Sequence, residues 1–288
     1  MRAHHLIHVG IPLAVLGALL LGPAAASAGV KVDAGGIFTC AVKQDRTAVC
    51  WGSDSSGQAS PPGGKFRNVS AGNAGACGVR PNDKVRCWGS DVFGQLSPPD
   101  ARFRSVSAGG NHNCGVKRSG KVACWGQDTG GETDPPGARF RSVSAGLDHT
   151  CGVKRNDTVA CWGSDGNGRS SPPGGSFSSV SAGESHTCGV KQSGKLRCWG
   201  SDLSNQSSAP GAPFRSVSAG SVHTCGVRDD GKPRCWGFDG NGRASPPAVK
   251  FRSLSAGTNH NCGVRRSGRV RCWGSNSSGQ RDVPPSLS

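Results

Sequence analysis

Fourteen cysteines occupy two positions of one 37-residue period: Cys40, Cys77, Cys114, Cys151, Cys188, Cys225 and Cys262, and ten residues later Cys50, Cys87, Cys124, Cys161, Cys198, Cys235 and Cys272. Each of the seven tryptophans directly follows the second cysteine of its repeat. So strict a repetition restricts the chain to a solenoid or a closed ring of like units. Composition chooses between them. With 46 Gly, 18 Pro, one Met and no Tyr in 288 residues, turns and short strands are favoured over helices. The expectation is an all-β, seven-bladed propeller of three- to four-stranded blades, since seven units close such a ring comfortably.

The N-terminus reads as a signal peptide over residues 1–28. Arg2 precedes the apolar run Ile11 to Leu21, and Ala26-Ser27-Ala28 supplies the small-x-small cleavage pattern. That run is too short to span a bilayer, and nothing later in the chain is apolar enough to do so. Residues 29–288 then form a single propeller domain, one residue longer than seven periods of 37. A secreted, extracellular protein with an even number of cysteines is expected to hold them as disulfides.

Within one unit, Phe103 to Ala108 and His112 to Lys117 read as strands, and Arg118-Ser119-Gly120 as a hairpin loop into Val122-Ala123-Cys124-Trp125. This register sets Cys114 opposite Cys124, so each repeat closes its own disulfide. Gly115 and Trp125 then share a sheet face, and the indole is expected to lie across the glycine. The other repeats predict the same pairing, Cys40 with Cys50 through Cys262 with Cys272.

The run Ser-Ala-Gly-x-x-His-x-Cys-Gly-Val, followed by Val-x-Cys-Trp-Gly-Ser-Asp-x-x-Gly-Gln, resembles the regulator-of-chromosome-condensation repeat, over essentially residues 29–288. The resemblance implies a seven-bladed propeller. The cysteine pair makes the chain similar to the ectodomain repeats of plant Crinkly receptor kinases, and its compactness resembles the secreted propeller-type β-lactamase inhibitor. These relatives imply protein binding and no catalysis; the nucleotide-exchange activity of the founding protein is not implied for this short-looped, secreted chain.

Sites of chemistry are few. A metal site from His112 and Cys114 would lack the four ligands that structural zinc requires, and two repeats carry Phe38 or Gly75 at the histidine position. The recurring His112, His149, His186, His223 and His260 are expected to fix strand starts by hydrogen bonding. Asp54, Asp91, Asp128, Asp165, Asp202 and Asp239, three residues after the Trp in six repeats, with Asn276 in the seventh, are expected to hold turns. No nucleophile with its base and no isolated carboxylate pair breaks the repetition, so no enzyme activity, cofactor or metal is expected.

What varies between repeats lies on one rim. Strand alternation puts the loop before each histidine beside the loop after each Trp, and there the apolar and charged pairs Val92-Phe93, Leu147-Asp148, Glu184-Ser185 and Leu203-Ser204 are the candidate protein-binding surface. The opposite rim carries the hairpin tips. Its cations, among them Lys117, Arg118, Lys154, Arg155, Arg265 and Arg266, are candidates for an acidic polymer or glycan, in keeping with a net charge of +16. Sequence-specific nucleic-acid recognition is not expected, because that rim lacks aromatics for base stacking. The primary expectation is a monomeric binding module for an unidentified protein. An enzyme inhibitor is the third reading, weakened because all Trp belong to the framework and Tyr is absent.

Overall fold

The computed structural model describes Met1 and residues 29–288; the expected signal peptide falls on residues 2–28, outside the described residues. Each repeat is one three-stranded antiparallel sheet in the order inner, middle, outer. In blade three these strands are Phe103–Ala108, His112–Lys117 and Val122–Gly126. There is no fourth strand in any blade among the described residues. Cys114 faces Cys124 and Gly115 faces Ala123, as the hairpin register requires. All seven disulfides join cysteines ten apart within one blade, and no cysteine is free.

Blades pack face to face with a fixed division of labour. Cys77, Val79 and Cys87 of blade two meet Phe103, Val106 and Trp125 of blade three in one apolar cluster. The six framework phenylalanines, Phe66 to Phe251, are almost wholly buried, and each pairs with the Trp of its own blade at 5.6–6.1 Å between ring centres. This arrangement corrects the expected Trp-over-Gly contact. The ring lying across Gly115 is Phe103: a Cβ on Gly115 would stand 2.5 Å from Phe103 Cδ1. Blade one is the exception that explains the rule. Gly29 stands where the other repeats have Phe, and there alone the residue after the first cysteine is Ala41. Leu287, from the C-terminal segment, joins Ala41 and Trp51 in the core at that junction.

Each indole also ties its blade to the one before. Trp125 Nε1 donates to the Gln95 carbonyl at 3.0 Å, and Trp51 Nε1 does the same to Gln280 at 2.9 Å. The second of these bonds spans the ring seam. So do Ala34 N–H to Ser255 Oγ (3.1 Å) and Thr258 N–H to the Gly35 carbonyl (3.1 Å), both repeats of contacts made between other blades. The ring therefore closes by ordinary blade-to-blade packing, every blade being one continuous repeat. Close packing at the axis explains the Ala-Gly pair ending each inner strand: a Cβ on Gly35, Gly72 or Gly109 would overlap the glycine carbonyl oxygen of the next blade. No helix among the described residues is long and apolar enough to cross a membrane.

Candidate binding site at the variable rim

The two rims are separated by backbone pairing. Gln127 N–H donates to the Asn111 carbonyl and Ser53 N–H to that of Ile37, which binds the loop after Trp to the loop before the histidine. At the other end, Phe103 N–H donates to the Asp83 carbonyl, joining an inner-strand start to the preceding hairpin tip.

The histidines belong to the framework. Each lies at 0–1% exposure and reaches the next blade through Nε2: His149 to Thr187 Oγ1 at 2.7 Å, His186 to Thr224 at 2.7 Å, and His260 across the seam to Thr39 at 2.7 Å. The Thr187 and Thr224 hydroxyls donate onward to the carbonyls of Arg169 and Gln206, so His149 and His186 donate through Nε2, and Nδ1 of His149, His186, His223 and His260 has no hydrogen-bond partner. Burial pushes all five pKa values down, to about 4 for His112, His223 and His260 and about 3 for His149 and His186. Where Phe38 stands in place of His its partner changes as well, to Ala76, and the two pack in one apolar cluster; His223 is bonded instead to Asn261 Oδ1, at 2.8 Å. The expected role in fixing strand starts is thus a link between blades.

The residues three after each Trp, Asp in six blades and Asn276 in the seventh, hold turns. Asp54 Oδ1 accepts Ala59 N–H at 2.7 Å and its Oδ2 accepts the Ser60 hydroxyl at 2.6 Å; Asp165 and Asp239 repeat both bonds. Hydrogen bonds inside the turn hold the Asp165 pKa below the usual carboxylate range, against the opposing effect of partial burial. These turns form the outer loops of the variable rim.

The sequence-predicted rim residues separate into two groups. Val92, Phe93, Leu203 and Ser204 stand on outer loops, on blades two and five. Leu147 and Glu184 come together near the axis, at the mouth of a pocket of about 230 Å³ walled by the Ala-Gly pairs of all seven blades. Asp148 and Ser185, next to them in sequence, are partly buried. Arg169 organises this sector: Nη1 donates to the Glu184 carbonyl at 3.0 Å, Nη2 to Ser164 Oγ at 2.7 Å, and the guanidinium lies 3.6 Å from the Asp148 carboxylate. Partial burial raises the Asp148 pKa; Arg169 opposes this, while the nearby Glu132 and Glu184 charges add to it.

On the opposite rim, Lys117, Lys154, Arg155, Arg265 and Arg266 lie at or beside the hairpin tips and take part in none of the ion pairs among the described residues. Arg118 differs. It grips Asp83 of blade two with Nε and Nη2, both at 2.7 Å, and Arg67 joins the same carboxylate at 2.6 Å. The guanidinium placed in the candidate polyanion site is therefore engaged in a bridge between blades. Asp83 sits at φ 72°, where four other repeats have Gly.

Three features escaped the sequence reading. The axial pocket was signalled only by the recurring Ala-Gly. Asp33 replaces the serine whose hydroxyl bonds the next inner strand; its carboxylate accepts both Ser255 Oγ–H and Ala71 N–H, and burial raises its pKa. The variable rim is also acidic: six turn aspartates with Glu132, Asp148 and Glu184 stand against only Arg169, Arg243 and Arg281.

Comparison with known proteins agrees with this architecture. The sequence profile of the Regulator of chromosome condensation (RCC1) repeat matches seven times, at residues 30–58, 66–95, 103–132, 140–169, 177–206, 214–243 and 251–280. Similar solved structures include the entire ectodomain of the Physcomitrella patens receptor kinase CR4, at 31% identity and TM-score 0.74, covering 86% of this chain and 73% of that one. The CRINKLY WD40 ectodomain of the Arabidopsis thaliana receptor kinase ACR4 matches at 28% identity and TM-score 0.73, covering 85% and 97%. Prp20p from Saccharomyces cerevisiae matches at 16% identity and TM-score 0.71, covering 89% and 83%, a likeness of fold alone. No curated protein matched in a separate search.

Proposed function

Because the chain belongs to the Regulator of chromosome condensation (RCC1) repeat family, we propose that it is a secreted, non-catalytic module that binds a protein through its variable rim. One observation carries this reading. Among residues 29–288, all the exposed large apolar side chains belong to the variable-rim loops: Ile37, Val92, Phe93, Leu203 and Phe238, from 38% exposure at Ile37 to 95% at Leu203. Apolar bulk left in water on one face of an otherwise polar surface marks an interaction site. The plant relatives are receptor-kinase ectodomains, and seven disulfides suit the same extracellular-facing setting. The framework's histidines and cysteines are all engaged in hydrogen bonds or disulfides, which favours binding over catalysis.

The test starts from capture of a partner out of the producing organism's envelope and medium. Replacing Phe93, Leu147 and Leu203 together by Ser is expected to abolish capture while moving the melting temperature little, because Phe93 and Leu203 are exposed and Leu147 lies at the pocket mouth. Replacing Ser277 and Ser278, at an equivalent loop of blade seven, should leave capture intact. Normal capture by the triple variant, or its unfolding, would refute this assignment.

A further inference from the structure

We propose that the axial pocket receives one lysine or arginine side chain from a basic protein segment, with Glu184 as its counter-charge; this rests on the variable rim being the protein-binding surface. The pocket lies at the centre of that rim, and its volume of about 230 Å³ is below the range for drug-sized ligands and suits a single long side chain. Its wall is almost entirely Gly and Ala, so specificity must come from the mouth. The seven mouth residues are Gly36, Asn73, Gly110, Leu147, Glu184, Ser221 and Thr258, and Glu184 alone is charged.

Glu184 is fixed for this role by its backbone. Its N–H donates to the Gly220 carbonyl at 3.1 Å and its carbonyl accepts Arg169 Nη1 at 3.0 Å. Its carboxylate is in none of the ion pairs among the described residues, and Arg169 lies instead against Asp148 and Ser164. Leu147, on the adjoining blade, offers an apolar wall for the methylene stem of a long cation. The surrounding field has the same sign, since the turn aspartates outnumber the rim's three arginines and a one-sided charge steers the opposite charge toward it. The protein's large net positive charge is thus misleading about this face: the surface that carries the exposed apolar side chains is acidic.

The experiment uses the mature protein and four capped tripeptides, glycine-X-glycine with X as arginine, lysine, norleucine or glutamate, followed by amide NMR. The arginine and lysine peptides should give saturable shifts at Gly110, Leu147, Glu184 and Ser221, and the other two should give none. Glu184→Gln should weaken the arginine peptide by about tenfold, equivalent to about 1.4 kcal/mol, without altering the rest of the spectrum. Absence of saturable shifts, equal shifts from the norleucine or glutamate peptide, or full binding by Glu184→Gln overturns the pocket assignment. The peptides need no natural partner, so these outcomes are read separately from partner capture by the triple variant, whose failure bears on the rim reading itself.

Discussion

Lowering the pH from 7 should unfold the disulfide-intact protein cooperatively, with a midpoint above pH 4. The five framework histidines have native pKa values of about 3 to 4 against 6.5 for the free side chain. A folded-state value below the unfolded one means that the unfolded chain binds more protons between roughly pH 4 and 6.5. The stability is therefore fully present above pH 6.5 and is lost as the pH falls. At pH 4 each histidine withdraws on the order of 3 kcal/mol. Five such losses reach the upper end of the roughly 5–15 kcal/mol by which domains are usually stable. Asp128, Asp165 and Asp202, held below the usual range by hydrogen bonds within their turns, act in the same direction. Asp33 and Asp148, whose values are raised by burial, oppose it and are too few to reverse it. Near-ultraviolet circular dichroism, reading the seven tryptophans, follows the transition. Replacing one link by the pair that blade one already uses, as in His186→Phe with Thr224→Ala, should reduce proton uptake on unfolding by about one. A native spectrum retained at pH 3, or an unchanged proton count in the double variant, would contradict the relay.

Reduction should be as damaging. Each disulfide closes a loop with a sequence separation of ten, and the chain-entropy model assigns such a loop roughly 2–3 kcal/mol. Seven together are again comparable to the whole stability of a domain. The sulfurs also pack in the core: Cys77 and Cys87 share a cluster with Phe103 and Trp125 of the next blade. Fully reduced and alkylated protein is therefore expected to be unfolded at 37 °C, while partial reduction lowers the melting temperature before it lowers the strand content. Melting curves paired with intact mass after thiol labelling check this. A reduced protein melting within a few degrees of the oxidised one would show that the blades do not depend on their staples.

Much of this architecture is local and hence legible in the sequence. A period of 37 with paired cysteines dictates blade number, and the nine residues between Cys114 and Cys124 dictate the hairpin register. Strand alternation then separates the rims. What escaped lies between blades, where contacts join residues 36 or 38 positions apart and no local pattern identifies partners. The ring over Gly115 could have been assigned to Phe103 from Gly29 and Ala41, the one repeat lacking both the phenylalanine and the glycine. Likewise, Phe38 before Ala76 hinted that histidine and threonine act as a pair across blades. The Arg118 bridge to Asp83 had no such signal, because these residues occupy different hairpin positions. The acidity of the variable rim was hidden by net charge, which averages over two faces of opposite sign.

The central claim is that a fixed framework presents its partner-binding surface on the variable rim, and amide hydrogen exchange of the complex tests it most directly. With the captured partner bound, protection should rise at residues 36–37, 92–93, 147–148, 184–185 and 203–204 and stay unchanged at the hairpin tips around residues 117–120, 154–157 and 265–268. Protection confined to those tips, with the variable loops unaffected, would contradict the account.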